Sequence, residues 1–239
     1  MTPVSIALRA LLGARRTWVL GVLSVIAGAI AVLIRVRADE FRWLDRYAEV
    51  TESLTIPTVV AFVALVLGAS VVGDEREDWT ILYLAATPVS RVRLAGAWVL
   101  AAWLMALVLL VPATAGAAWL GLGGGMGARG LLWLVVAVAL ASLAYAALGV
   151  LLALLVRRAI ILGLLYIVLW EATIATFADS ADKLSLGAYG RRLVAEGVPG
   201  AEEFRVPPVG AVTAVVVLIA VSAVGVWAGG RRLSRMELP

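Results

Sequence analysis

The sequence contains no cysteine and no histidine among its 239 residues. Without cysteine the chain has no disulfide framework, no thiol nucleophile and no cysteine-based metal site. Without histidine it also lacks the commonest general base and metal ligand. Charge is scarce too, because 15% of the residues are charged, against about a quarter in soluble globular proteins. These absences exclude several enzyme classes and leave little polar surface to face water.

Apolar residues are abundant instead: 63% of the chain is hydrophobic, and the mean hydropathy is +1.03. We expect a polytopic membrane protein, because one soluble core cannot enclose that excess. A spanning helix needs roughly 20 apolar residues, and lipid leaves few other ways to satisfy backbone polar groups. The sequence therefore predicts an all-α membrane protein with one transmembrane domain over residues 1–239. Six stretches have the required length: 17–35, 54–73, 94–119, 130–156, 159–178 and 209–230.

The basic residues, nearly all arginines, cluster at the ends of the apolar stretches. This placement is typical of membrane topology rather than of a nucleic-acid-binding surface. With a cytosolic N-terminus, the inner segments carry eleven arginines and the outer segments nine basic residues. The rule that basic residues favour the inside then places both termini in the cytosol. We expect a multi-pass protein of a bacterial or archaeal cytoplasmic membrane.

Two connecting segments have recognisable patterns. Residues 3–16 place apolar side chains on one face and Arg9 and Arg16 on the other, which predicts an amphipathic helix lying in the inner interface. The alternative is a signal peptide, although the following apolar run is long for one and has no persuasive cleavage site. Residues 179–208 form a longer outer segment, rich in glycine and ending in two prolines, in which we expect short interfacial helices.

Small residues recur at helical spacing in several of the apolar stretches. Such spacing lets helix backbones approach closely, so it predicts tight packing within the subunit and allows some contact with a second one. The positions are Gly21 and Ala29 in the first stretch, Ala137, Ala141, Ser142 and Ala146 in the fourth, and Gly225 and Gly229 in the last.

The connection over residues 73–94 is longer than two spans require. Acidic residues precede Trp79, which favours a helix start, and Trp79, Leu82 and Tyr83 share one face of that helix. It is apolar over most of its circumference but too short to span lipid, so it must rest between the membrane surface and another protein. Two interpretations stay open from the residues alone: a docking site for a cytosolic partner, or a helix that only anchors a loop.

The run Glu75-Arg-Glu-Asp-Trp-Thr-Ile-Leu-Tyr-Leu-Ala-Ala-Thr-Pro-Val-Ser-Arg91 resembles the signature of type-2 ATP-binding cassette (ABC) permeases. The resemblance extends to the six-span layout, with departures at Trp79, where the family often has glycine, and at Ile81. It implies that residues 74–87 form a coupling helix that seats in an ABC ATPase subunit. The residues that would carry the coupling are Glu75, Glu77, Trp79, Leu82, Tyr83 and Arg91. The resemblance also implies a second permease subunit, either an identical copy or a close paralogue.

The chain has no nucleotide-binding loop of its own, because no G-x-x-x-x-G-K-[ST] pattern occurs. The glycine-rich run Gly121–Gly130 lacks the Lys-Ser/Thr pair and is interpreted as a turn. We therefore expect a non-catalytic subunit without cofactor or metal, with ATP and Mg²⁺ bound by the partner ATPase. The resemblance implies an exporter, and the apolar walls expected of it suit a lipid, a peptide or an amphipathic small molecule.

Glu171 is the one acidic residue well inside an apolar stretch. A carboxylate at that depth is costly and indicates function by default. Its distance from the start of the stretch, roughly 18 Å at 1.5 Å per residue, places it just beyond mid-membrane. It is a candidate for the substrate pathway or a proton site. Alternatively, it faces a wet outer vestibule or pairs with Arg191 or Arg192.

Three other functions compete with an ABC permease. An ion-coupled secondary transporter should show several intramembrane ionisable groups and paired broken helices, and this chain offers only Glu171. An intramembrane enzyme would lack histidine, cysteine and paired carboxylates. A structural or regulatory membrane protein on the same scaffold is consistent with the sequence.

Overall fold

The structure is a computed structural model that describes residues 3–37, 55, 58–77, 90–122, 127–174, 184–197 and 208–235. Over these residues the regular structure is helical and contains no strand, which confirms the predicted all-α class. The α-helices are α1 (Pro3–Gly13), α2 (Arg15–Arg37), α3 (Ala61–Glu77), α4 (Arg91–Leu122), α5 (Gly127–Leu155), α6 (Ala159–Tyr166), α7 (Leu186–Ala195) and α8 (Ala211–Ser234). A π-helix, Ile167–Ile174, directly continues α6.

Three of these helices, α4, α5 and α8, are long and apolar enough to cross a membrane, and the bent pair α1–α2 is a fourth candidate. The apolar helices at 58–73 and 159–171 are shorter. The described residues therefore establish a multi-pass helical membrane protein with three or four candidate spans. The count of six spans stays a prediction.

The N-terminal helices meet at a bend of 72°, with Ala14 between them. Ala7 and Leu11 are buried against the bundle, whereas Arg9 is exposed. The indole Nε1 of Trp18 donates a hydrogen bond to the Leu12 carbonyl oxygen across the bend, at 3.2 Å. This hydrogen bond therefore links α1 to α2 across the bend.

Helix α5 is the centre of the bundle and contacts α3, α4, α6, α7 and α8. It is apolar on all sides, as expected of a helix surrounded by others. Its contact with α3 is the closest: a Cβ atom on Gly68 would lie 2.3 Å from the Ala146 carbonyl oxygen, and one on Gly149 would lie 2.3 Å from the Leu65 carbonyl oxygen. Only glycine fits at these two positions. The Trp103 indole on α4 donates a hydrogen bond to the Ala139 carbonyl oxygen on α5 at 2.8 Å, which links the two helices.

Three arginine-bearing helix ends converge at one end of the bundle. Gly230, near the end of α8, lies against Val92 at the start of α4, and Gly229 lies against Leu154 at the end of α5. The arginines on these ends therefore share one side of the protein. They are Arg91 and Arg93 on α4, Arg157 and Arg158 after α5, and Arg231, Arg232 and Arg235 on and after α8. The Arg231 guanidinium stacks on the Trp227 ring, 4.0 Å from its centroid.

The predicted coupling helix is described only at its beginning. Helix α3 continues to Glu77, so residues 74–77 extend the helix of the second apolar stretch without a break. Residues 78–89 lie outside the described part of the chain. The existence of a separate coupling helix over 74–87 therefore stays a prediction.

Candidate functional site: the Glu171 cluster

The fifth apolar stretch changes its winding before it reaches Glu171. The α-helical turns of α6 end at Tyr166, and the π-helix Ile167–Ile174 follows. π-Helical turns inside α-helices are rare and often occur at functional sites. Glu171 lies on this π-helix, and its side chain is 2% exposed.

The Glu171 carboxylate binds the amino end of helix α7. Its Oε1 atom accepts a hydrogen bond from the Leu186 N–H at 3.0 Å and another from the Tyr166 hydroxyl at 3.0 Å. The Gly187 N–H lies 3.3 Å from Oε2. The Ser185 hydroxyl also donates to Oε2. Two side chains and two backbone amides therefore converge on one carboxylate.

Helix chemistry explains this arrangement. The first backbone N–H groups of an α-helix have no partner within the helix, and the helix dipole favours negative charge at this end. Ser185 is the N-cap of α7 and accepts from the Ala188 N–H at 3.0 Å. Glu171 satisfies the two N–H groups before it. All four of these groups donate hydrogen bonds to the Glu171 carboxylate.

Two further polar side chains lie near the carboxylate. The Tyr145 hydroxyl, on α5, is fully buried and lies close to Glu171, within electrostatic reach of Tyr166 and Arg191 as well. Arg191, on α7, is 7% exposed. We call Tyr145, Tyr166, Glu171, Ser185 and Arg191 the Glu171 cluster.

The neighbouring Arg192 has other partners. Its Nε donates to the Val209 carbonyl oxygen at 2.8 Å, and one of its terminal nitrogens lies 3.1 Å from a Glu196 carboxylate oxygen. The sequence does not predict that the amino end of α7 binds Glu171. The signal in the sequence was Ser185, a good N-cap residue three positions before Ala188. Whether Glu171 also lines a substrate pathway stays a prediction.

The structure describes the predicted coupling residues unevenly. Arg91 is half-buried at the start of α4, at the arginine-rich end of the bundle. Glu75 and Glu77 lie on the last turn of α3, as backbone positions. Trp79, Leu82 and Tyr83 lie outside the described residues, and their role in coupling stays a prediction. In the part of the chain that the structure describes, no three acidic side chains come together as a metal site.

The helical fold and its buried polar cluster define a multi-pass membrane protein. A family model described as "ABC-2 family transporter protein" matches residues 44–185. This range covers more than half of the chain and includes both the Glu75–Arg91 run and Glu171. The chain therefore belongs to the ABC-2 transporter family, as its sequence motif predicts. Membership implies a non-catalytic membrane subunit that works with an ABC ATPase subunit. No curated protein matches the chain.

Proposed function

We propose that the chain is the permease subunit of an ATP-driven exporter whose energy comes from a separate ATPase subunit. The family match over residues 44–185 is the observation that carries this proposal. It spans the segment in which the sequence places the coupling helix. The absence of a phosphate-binding loop from the sequence agrees with it, because ATP must then bind to another chain.

Helix α3 offers a route by which the ATPase could move the membrane domain. In our proposal the ATPase presses on residues 74–87 as it closes on ATP. Residues 74–77 are continuous with α3. A force applied to them is therefore transmitted along a rigid helix to the contact between Gly68 and Gly149. At that contact α3 touches α5, the centre of the bundle. The ATPase must bind the inward-open and outward-open states with different affinities, since only differential binding shifts such an equilibrium.

We place the arginine-rich end of the bundle in the cytosol. The convergence of α4, α5 and α8 supports this orientation, because it gathers three arginine clusters on one side, and basic residues accumulate on the cytosolic side of membrane proteins. Both termini would then be cytosolic, and the Glu171 cluster would lie toward the outside.

We further propose that two permease subunits, identical or closely related, line the pathway together. Helices α2 and α8 leave large apolar side chains exposed, among them Val22, Val25 and Val216. These faces suit lipid as well as a second subunit. The substrate class that fits apolar walls is a lipid, a peptide or an amphipathic small molecule. An ion-coupled carrier is the second candidate, and only Glu171 favours it.

Affinity purification of the tagged chain from its host tests the energy source. We expect an ATPase subunit with a phosphate-binding loop to co-purify, and the assembled complex to hydrolyse ATP. The chain alone should hydrolyse none. If the chain purified from gently solubilised membranes carries no ATPase and still transports under an ion gradient, the ion-coupled carrier is the better assignment.

A further inference from the structure

We propose that Glu171 is the latch of an outer gate: its carboxylate holds helix α7 docked against α5, and α7 leaves this position when the latch releases during transport. The gating role rests on the proposed function, because a gate presupposes a pathway. The latch itself is a property of the chain alone. It can therefore be tested without the ATPase.

Helix α7 depends on its surroundings for its position. It has ten residues, and isolated helices shorter than about 12–15 residues are marginal in water. Its side chains are nearly all buried, and it rests on α5 and α8. The hydrogen bonds from its first turn to Glu171 link it to the fifth apolar stretch. Loss of the carboxylate would leave two buried N–H groups without partners, which is more costly than losing an exposed hydrogen bond.

The interface beneath α7 is unlike the rest of the bundle. Elsewhere the helices meet mainly through apolar side chains, as α3 and α5 do. At α7 the structure buries the Glu171 carboxylate, the Arg191 side chain and the Tyr145 hydroxyl, and the Tyr166 side chain beside them is half-buried. Interfaces between parts that move apart are more polar than permanent ones. In our proposal α7 separates from α5 at this polar interface.

The absence of cysteine makes a direct test possible, because any introduced cysteine is unique. Leu193→Cys places a reporter on α7, and Leu110→Cys places a matched reporter on α4; both leucines are fully buried. Each reporter is combined with Glu171→Gln. As the control, each is combined with Glu196→Gln. Glu196 is the other described carboxylate of this region and forms a partly exposed ion pair with Arg192. The rate of N-ethylmaleimide labelling of the purified chain in detergent is measured for each combination.

With Glu171→Gln, we expect the α7 reporter to label about tenfold faster or more, because an NH2 donor replaces one of the two acceptor oxygens and hydrogen bonds to buried groups are lost. The α4 reporter should stay slow. Glu196→Gln should change neither rate by more than about twofold, since partly exposed ion pairs contribute little. The latch is refuted if the α7 reporter stays slow with Glu171→Gln. It is also refuted if both reporters accelerate equally, because Glu171 would then support the whole fold.

Tyr166 allows a second test of the latch. Tyr166→Phe removes a hydroxyl that donates to Glu171, so it should speed labelling of the α7 reporter several-fold. Unchanged labelling with Tyr166→Phe would contradict the proposed arrangement of donors.

The gating step is tested in the assembled complex. Addition of ATP and substrate should accelerate labelling of the Leu193→Cys reporter. A complex with a non-hydrolysing ATPase variant should show no such acceleration. If turnover proceeds normally and the reporter remains protected, α7 is a static element and the gate is refuted. If the chain alone shows the latch but no ATPase is found, the proposed function fails and the latch stands.

Discussion

In a Gly149→Ala variant, we expect most of the protein to fail to fold. The added Cβ atom would lie 2.3 Å from the Leu65 carbonyl oxygen and 3.0 Å from the Ala69 backbone nitrogen. Backbone atoms cannot rotate away as a side chain can, so α3 and α5 would have to separate at the centre of the bundle. Overpacking a core costs about 1–3 kcal/mol, and we expect a loss at or above the upper end of that range. The fraction of monodisperse protein that survives a heating series, measured by size-exclusion chromatography in detergent, checks this.

Gly116→Ala is the matched control. Gly116 lies inside α4, and a Cβ atom there would have no neighbour within 4 Å. Alanine is favoured over glycine in a helix by about 1 kcal/mol, so this variant should be as stable as the parent or more stable. If Gly149→Ala tolerates heat as well as Gly116→Ala does, the close approach of α3 and α5 is wrong.

Reversing the charge of Glu75 and Glu77 together should abolish the coupling of transport to ATP hydrolysis. In our proposal these residues belong to the segment that the ATPase contacts, and charged contacts across an interface determine its specificity. We expect transport and substrate-stimulated ATP hydrolysis of the reconstituted complex to fall about tenfold or more, which corresponds to about 1.4 kcal/mol or more. The helices should stay folded, as circular dichroism and heat survival would show.

The control for this variant is Glu196→Gln, a change at the far side of the proposed topology. It should leave coupled ATP hydrolysis within about twofold of the parent, since a partly exposed ion pair is worth little. Unchanged coupling after reversal at both Glu75 and Glu77 would mean that the energy enters the membrane domain elsewhere.

The chain's apolar stretches were largely predictable because hydropathy is local information. The long helices α4, α5 and α8 correspond to predicted stretches, and Arg157 and Arg158 separate α5 from α6. The end of the second stretch was less predictable. The acidic residues after Val72 suggested a new helix, whereas the backbone continues helically to Glu77, because nothing in a run of polar residues forces a helix to stop.

The candidate site was only partly predictable. Glu171 stood out as a lone intramembrane acid, but the alternatives for its partner were two arginines. The structure shows the amino end of α7 as a partner, and Arg192 bonds to Glu196 and Val209. Backbone N–H groups carry no mark in the sequence, so a partner of this kind is visible only when two segments have been placed together.

The sequence by itself determined that this protein belongs in a membrane, that it carries no nucleotide-binding loop, and that it has the motif of the ABC-2 family. These properties follow from composition and from short runs of neighbouring residues. The tertiary structure decided which glycines must be glycines and which groups face the buried carboxylate. Helix contacts depend on crossing angle and rotation about each axis, and a small rotation exchanges one buried face for another. That is why Gly68 and Gly149 emerged only from the fold.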